Sequence, residues 1–190
     1  MRWLTLYARS RQVPAALAAM LVCAVAVWAL GRGGGGTGDP QLAALALAAG
    51  VSAASAGLGG QDRALDRTAA IRWAPRRAAH VLLAGAAAGA ALLLAQTMGE
   101  DLGTTAFVVR DGAGLMGLAA LGAALCGAPY AWTPPLAWLS CALFAPPPDN
   151  APARIATWML LPPDSPQGTW TALALLLLGT GTYALAGPRR

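Results

Sequence analysis

Six long apolar runs, set apart by short polar, glycine-rich or proline-rich stretches, occupy residues 13–31, 40–58, 78–97, 105–126, 130–145 and 169–187. A bilayer core about 30 Å thick takes roughly 20 residues of α-helix, the helix satisfying every backbone N–H and C=O within its own segment. All the runs except 130–145 are near that length. The pattern therefore predicts an all-α, polytopic transmembrane helical bundle of about six spans, forming a single domain over 1–190. Pro40 suits the first position of the second helix, where its missing N–H costs no hydrogen bond. The run 130–145 holds Trp132, Thr133, Pro134, Pro135 and Trp138, so it is expected to be kinked or to start late, with its tryptophans near an interface.

The stretches between runs divide by charge. Residues 59–77 hold Asp62, Arg63, Asp66, Arg67, Arg72, Arg76 and Arg77 and are read as a substantial loop. Within it Asp62 and Asp66 stand four apart, as do Arg63 and Arg67, which suits a short amphipathic connector at the membrane face. Residues 146–168 form a proline-rich loop in which the apolar patch 155–161, carrying Trp158, is too short to span and is expected to dip into the interface. Basic residues face the cytoplasm. With six spans, Arg2, Arg9 and Arg11, the 59–77 loop, and Arg189 with Arg190 all fall on that side, so both termini are cytoplasmic and the 146–168 loop is outside. An odd number of spans would part the terminal arginines.

Composition strengthens this reading. The 190 residues are 57% hydrophobic and 11% charged, with a mean hydropathy of +0.54. A soluble domain carries about a quarter of its residues as Asp, Glu, Lys or Arg, so much of this surface is expected to face lipid, in a multi-pass protein of the cell membrane. The net charge of +5 is carried by arginine alone, spread beside the apolar runs, which fits membrane orientation and not nucleic-acid binding. Cys23, Cys126 and Cys141 lie within apolar runs without a metal-binding neighbourhood and read as small buried hydrophobes. His80 is the one histidine and is expected to be a hydrogen-bonded structural residue. No catalytic, cofactor-binding or metal-ligating set emerges, and no cofactor is expected.

Two signals invite other readings. Gly33 to Gly36, followed by Thr37, Gly38 and Asp39, resembles a phosphate loop in glycine content only, since such a loop follows a strand and ends in Gly-Lys-Ser/Thr. A flexible linker is the better account. The basic start and first apolar run also suit a secretory signal with small residues at Ala29 and Gly31, against which stand the run's length and the spans that follow. An uncleaved anchor is expected, with cleavage as the alternative.

Charge inside a span costs a few kcal/mol, about 2.5–3.5 on insertion scales, which singles out Arg110 and Asp111 as a candidate intramembrane polar pair. Neighbours in a helix do not face each other, so the two are expected to need separate partners in other helices. The other reading is an anchor near the outer interface, where both reach water. Gly85 with Gly89, and Gly114 with Gly117, are candidate helix-packing positions, since small residues let helices approach closely.

Arg110-Asp111, the run Gly114-Leu115-Met116-Gly117-Leu118-Ala119, Gly127, and Ala131-Trp132-Thr133-Pro134-Pro135-Leu136-Ala137-Trp138 together resemble small six-helix ABC-transporter permease-like membrane proteins of actinobacteria. Those proteins often carry an Arg-Asn pair, a Gly-Leu-x-Gly-Leu run and a Trp-x-x-Pro. Here Asp111 takes the place of the Asn and Met116 the variable place. The resemblance covers mainly residues 62–138 and, more loosely, 183–190. It implies a permease subunit that pairs with itself or a sister subunit and with a separate cytoplasmic ATPase, the loop with Asp62, Arg63, Asp66 and Arg67 serving as the ATPase-coupling element. A loop that only fixes topology is the competing reading of those four residues.

Three function classes then remain. Transport leans on the resemblance, and the few intramembrane polar groups suit a hydrophobic or amphipathic cargo. A non-transporting scaffold or accessory subunit of a cell-envelope complex leans on the lack of a polar path through the spans. A membrane enzyme lacks paired acids, a Ser-His couple or an acidic metal cluster.

Overall fold

A computed structural model describes residues 39–59, 73–97 and 102–189, with Ala18 besides. The described residues are helical, without a strand. The helices are α1 (Pro40–Ser55), extended by a 3₁₀ turn over Ala56–Leu58, α2 (Trp73–Gln96), α3 (Thr105–Leu125), α4 (Thr133–Leu143), α5 (Ala151–Ala156) and α6 (Pro166–Ala186), with further 3₁₀ turns at Ala128–Tyr130 and Trp158–Leu160. The expected first span, 13–31, lies outside the described residues except for Ala18, which is helical and exposed.

Three of the four long helices, α1, α3 and α6, have a chemical start. The Asp39 side chain accepts from Gln41 N at 2.8 Å with Pro40 next in line, and Thr104 Oγ1 accepts from Phe107 N at 3.3 Å. Ser165 Oγ accepts from Gly168 N at 3.4 Å ahead of Pro166. These caps satisfy donors that a helix leaves open in its first turn.

Among the described residues four helices are long and apolar enough to cross a membrane: α1 with its 3₁₀ extension, α2, α3 and α6. The chain is a membrane protein. Its outer faces agree, since Leu83, Leu94, Trp170 and Leu185 are 66–82% exposed along α2 and α6. Apolar exposure on that scale suits lipid, not water. The most buried helices, α1 and α3, hold the centre, where Leu47, Val51, Leu115 and Met116 are closed off from solvent.

Direction follows from the contacts. Gly85 and Gly89 of α2 face Met116 and Val108 of α3, so these two helices are antiparallel, while Gly112 of α3 faces Leu47 of α1. Along α3 and α6 the facing positions climb together, Arg110 with Gly168, Gly114 with Ala172, Gly117 with Leu175 and Leu176, so these two run parallel. Their contact is the most extensive in the bundle. A parallel pair requires the chain between them to return along the bundle.

That return corrects the fifth expected span. Instead of a membrane-length helix over 130–145 there is α4, whose 11 residues rise about 16 Å, half of a bilayer core. Pro134 and Pro135 are tolerated only at its start, and Pro146, Pro147 and Pro148 follow soon after its end. Residues 146–168, expected as an outer loop, instead contain α5, the Trp158–Leu160 turn and the first residues of α6. The patch 155–161 packs into the bundle. Trp158 lies against Gly114, nine residues or about 13 Å into α3.

Two boundaries also move. Trp73 to Arg77, assigned to the 59–77 loop, belong to α2, which is already helical five residues before the expected 78. Pro75 sits where a helix needs no N–H, and the Arg76 guanidinium lies 5.8 Å from the Trp73 ring centroid. The last helix starts at Pro166, not 169. Cys126 and Cys141 are exposed, contrary to the buried role expected of them, because both lie at outward positions of short or ending helices; Cys23 lies outside the described residues.

The end of the bundle bearing Arg76, Arg77 and Arg189 is tied by polar bonds. Tyr183 Oη donates to Leu58 O at 2.6 Å, His80 Nε2 lies 3.0 Å from Gly57 O, and Arg189 N donates to Ala123 O at 2.9 Å.

Candidate functional site

Arg110 and Asp111 stand on the second turn of α3, about 8 Å from its start. Both are buried: Arg110 is 8% exposed and Asp111 0%. A snorkelling anchor in contact with water is therefore ruled out for this pair. The expectation that neighbours could not meet is also corrected, because Arg110 Nε donates to Asp111 Oδ1 at 2.7 Å. The long arginine stem folds back far enough to bring the guanidinium beside the next residue's carboxylate.

Its other nitrogens cross to the re-entrant segment. Arg110 Nη1 donates to Pro162 O at 2.6 Å, and Nη2 donates to Leu161 O at 2.8 Å and, at 3.5 Å, to Trp158 O. The Phe107 ring lies 5.5 Å from the guanidinium carbon. Irregular backbone at membrane depth leaves carbonyls without helical donors, and each uncompensated one costs several kcal/mol in hydrocarbon. One arginine thus supplies the donor for Leu161 O and a second donor for Pro162 O and Trp158 O, which also accept from Ser165 N at 3.0 Å and Leu161 N at 3.4 Å, and Asp111 supplies its counter-charge.

The local sequence explains why Leu161 O is open to the guanidinium. Leu161 precedes Pro162 and is extended at φ −76°, ψ 151°, as residues before proline are. Pro162 and Pro163 donate no N–H to any turn. The sequence reading missed this partnership, 48 to 52 residues from Arg110, although the Leu-Pro-Pro step was its signal.

Glycine makes the seat. A methyl group at Gly114 would come within 2.5 Å of Trp158 Cη2, and one at Gly168 within 3.0 Å of Arg110 Nη1 and 3.2 Å of Trp158 O. Gly168 was not foreseen as a site position. Trp158 and Met159 are fully buried there, and Trp138 Nε1 donates to Ala156 O at 2.7 Å, joining α4 to α5. Asp111 Oδ2 has no hydrogen-bond partner among the described residues.

The other expected positions are dispersed. Gly85 and Gly89 line an apolar groove of about 340 Å³ between α2 and α3. Gly117 meets the backbone of Leu175 and Leu176. The expected ATPase-coupling residues Asp62, Arg63, Asp66 and Arg67 lie outside the described residues. Among the described residues no three His, Cys, Asp or Glu side chains come together. No family model, curated protein or solved structure matches the chain.

Proposed function

We propose that this chain is a multi-pass cell-membrane permease subunit of an ABC-type transporter, working with a separate ATPase chain on its arginine-bearing, cytoplasmic side. The observation that carries the reading is the interrupted return between α3 and α6, held at membrane depth by a buried Arg110–Asp111 pair. Ionisable groups inside a membrane bundle mark functional pathways far more often than lipid-facing structure, and transporters build their moving parts from broken helices. The resemblance in residues 62–138 supports the same class. A hydrophobic or amphipathic cargo fits, since the groove on α2 and α3 is apolar throughout.

The scaffold reading keeps one observation of its own: every side chain lining that groove is apolar, with no charged or hydrogen-bonding side chain among them. Pull-down of the tagged full-length chain from native membranes in mild detergent, read by mass spectrometry, separates the two. Recovery of a nucleotide-binding ATPase, lost when Asp66→Ala and Arg67→Ala are combined, supports the permease. Recovery of envelope proteins with no ATPase refutes it in favour of the scaffold.

A further inference from the structure

We propose that residues 144–162 form a strap that detaches from α3 as a unit, and that Arg110 switches its Nη2 from the strap carbonyls to Asp111 Oδ2 as it does so. This inference concerns the fold and stands whether or not the protein transports anything.

Three features of the strap point to detachment. From Ala145 to Asn150 its backbone N–H groups make only local bonds, Ala145 N to Ala142 O and Asp149 N to Pro147 O, and Phe144 is 90% exposed. Three consecutive prolines keep this arm stiff and extended, so motion concentrates at its ends. The strap is seated on Gly114 and Gly168, so at these two positions no side chain of α3 or α6 holds Trp158 in place.

The guanidinium has a second arrangement ready. Nε and Nη2 point the same way along one edge of the planar group, the fork that grips a carboxylate through both oxygens. Nε already holds Asp111 Oδ1 at 2.7 Å, whereas Nη2 is spent on Leu161 O and Trp158 O. Asp111 Oδ2 is buried and has no partner among the described residues. A small swing of Nη2 onto Oδ2 completes the fork and releases Leu161 O and Trp158 O, while Nη1 keeps Pro162 O, the strap's hinge end, at 2.6 Å, so the undocked state does not leave a bare cation in the bundle. Nη2 thereby exchanges a bond to Leu161 O at 2.8 Å and a long one to Trp158 O at 3.5 Å for one bond to a carboxylate, and two such alternatives make a bistable element.

The test uses the full chain in native membrane vesicles, with Cys23→Ser, Cys126→Ser and Cys141→Ser as background and Met159→Cys as reporter. Met159 is fully buried when docked, so maleimide labelling reads opening. Arg110→Gln should speed labelling and serves as the open reference. Asp111→Asn decides the matter. An amide places N–H groups where Oδ2 would receive Nη2, so the strap stays docked and labelling slows by on the order of tenfold, the worth of one charge-assisted hydrogen bond. Labelling that rises or stays level in Asp111→Asn overturns the switch and leaves Asp111 as a plain anchor. Hydrogen exchange of the unsubstituted chain covers a variant that fails to fold: peptides over 151–162 should exchange together and ahead of α3. Exchange no faster than that of α3 overturns the strap.

Discussion

The contact between α3 and α6 offers the sharpest quantitative test of this bundle. The two helices touch backbone to backbone. A methyl group on Gly117 would fall 2.5 Å from Leu176 Cα and 2.6 Å from the Leu175 carbonyl carbon, and one on Gly179 would overlap the Gly117 carbonyl. Carbon atoms rest about 3.5–4.0 Å apart, so Gly117→Ala demands that two helices part by roughly 1 Å or more. Backbone cannot turn aside as a side chain can. Overpacking of a tight core costs about 1–3 kcal/mol, and the loss of neighbouring contacts along the whole parallel interface places Gly117→Ala at the upper end, near 3 kcal/mol.

Two sister variants bracket that number. Gly181 has nothing within 4 Å, so Gly181→Ala should be neutral or raise stability by about 0.5–1 kcal/mol through helix propensity alone. Gly85→Ala meets Met116 Cβ and Cγ at 3.1 Å, which asks α2 and α3 to give by a few tenths of an ångström, and belongs between the two. Thermal unfolding of the purified chains in one mild detergent, followed by the loss of the monodisperse chromatographic peak, should rank them Gly181→Ala, Gly85→Ala, Gly117→Ala from most to least stable. A Gly117→Ala protein as stable as Gly181→Ala would show that α3 and α6 are not in backbone contact.

Other substitutions probe the two ends of the bundle. Tyr183→Phe removes the donor to Leu58 O and leaves a buried carbonyl alone, so its midpoint should fall by the equivalent of about 1–3 kcal/mol; no change would detach α6 from the end of α1. Trp158→Ala empties a fully buried site and should cost about 3–5 kcal/mol in the same assay, whereas a loss under 1 kcal/mol would mean the strap is not seated on α3. With Cys23→Ser and Cys141→Ser in place, the exposed Cys126 should react with an impermeant maleimide only in vesicles that present the cytoplasmic side; labelling from the opposite side inverts the topology.

The helices that read correctly from sequence did so because hydrophobic length is a one-dimensional property. Runs 40–58 and 105–126 coincide with α1 plus its turn and with α3 almost to the residue, since Asp39 and Thr104 cap their starts in the ordinary way. The boundary errors have local causes as well. Arg76 and Arg77 look like loop when counted as charges, yet a helix that opens at an interface carries arginines on its first turns without penalty. What length could not convey was the 130–165 segment, where proline placement outweighs apolar content and the chain returns by a short helix and a re-entrant dip.

The polar site shows a different limit. Composition singled out Arg110 and Asp111 on cost alone, but their neighbourhood was assigned by helix geometry, which places Cβ vectors 100° apart and overlooks the reach of an arginine stem. Three of the four acceptors that hold the guanidinium are backbone carbonyls, and a carbonyl carries no residue identity. Such a partner leaves its trace only in what surrounds it: prolines that strip donors from a turn, and glycines that clear a floor. Leu161-Pro162-Pro163, with Gly114 and Gly168 on facing helices, is that trace. An intramembrane arginine is therefore best matched in sequence with proline-broken stretches whose carbonyls are open to a further donor, as well as with carboxylates. In this chain the two searches lead to opposite sides of the same guanidinium.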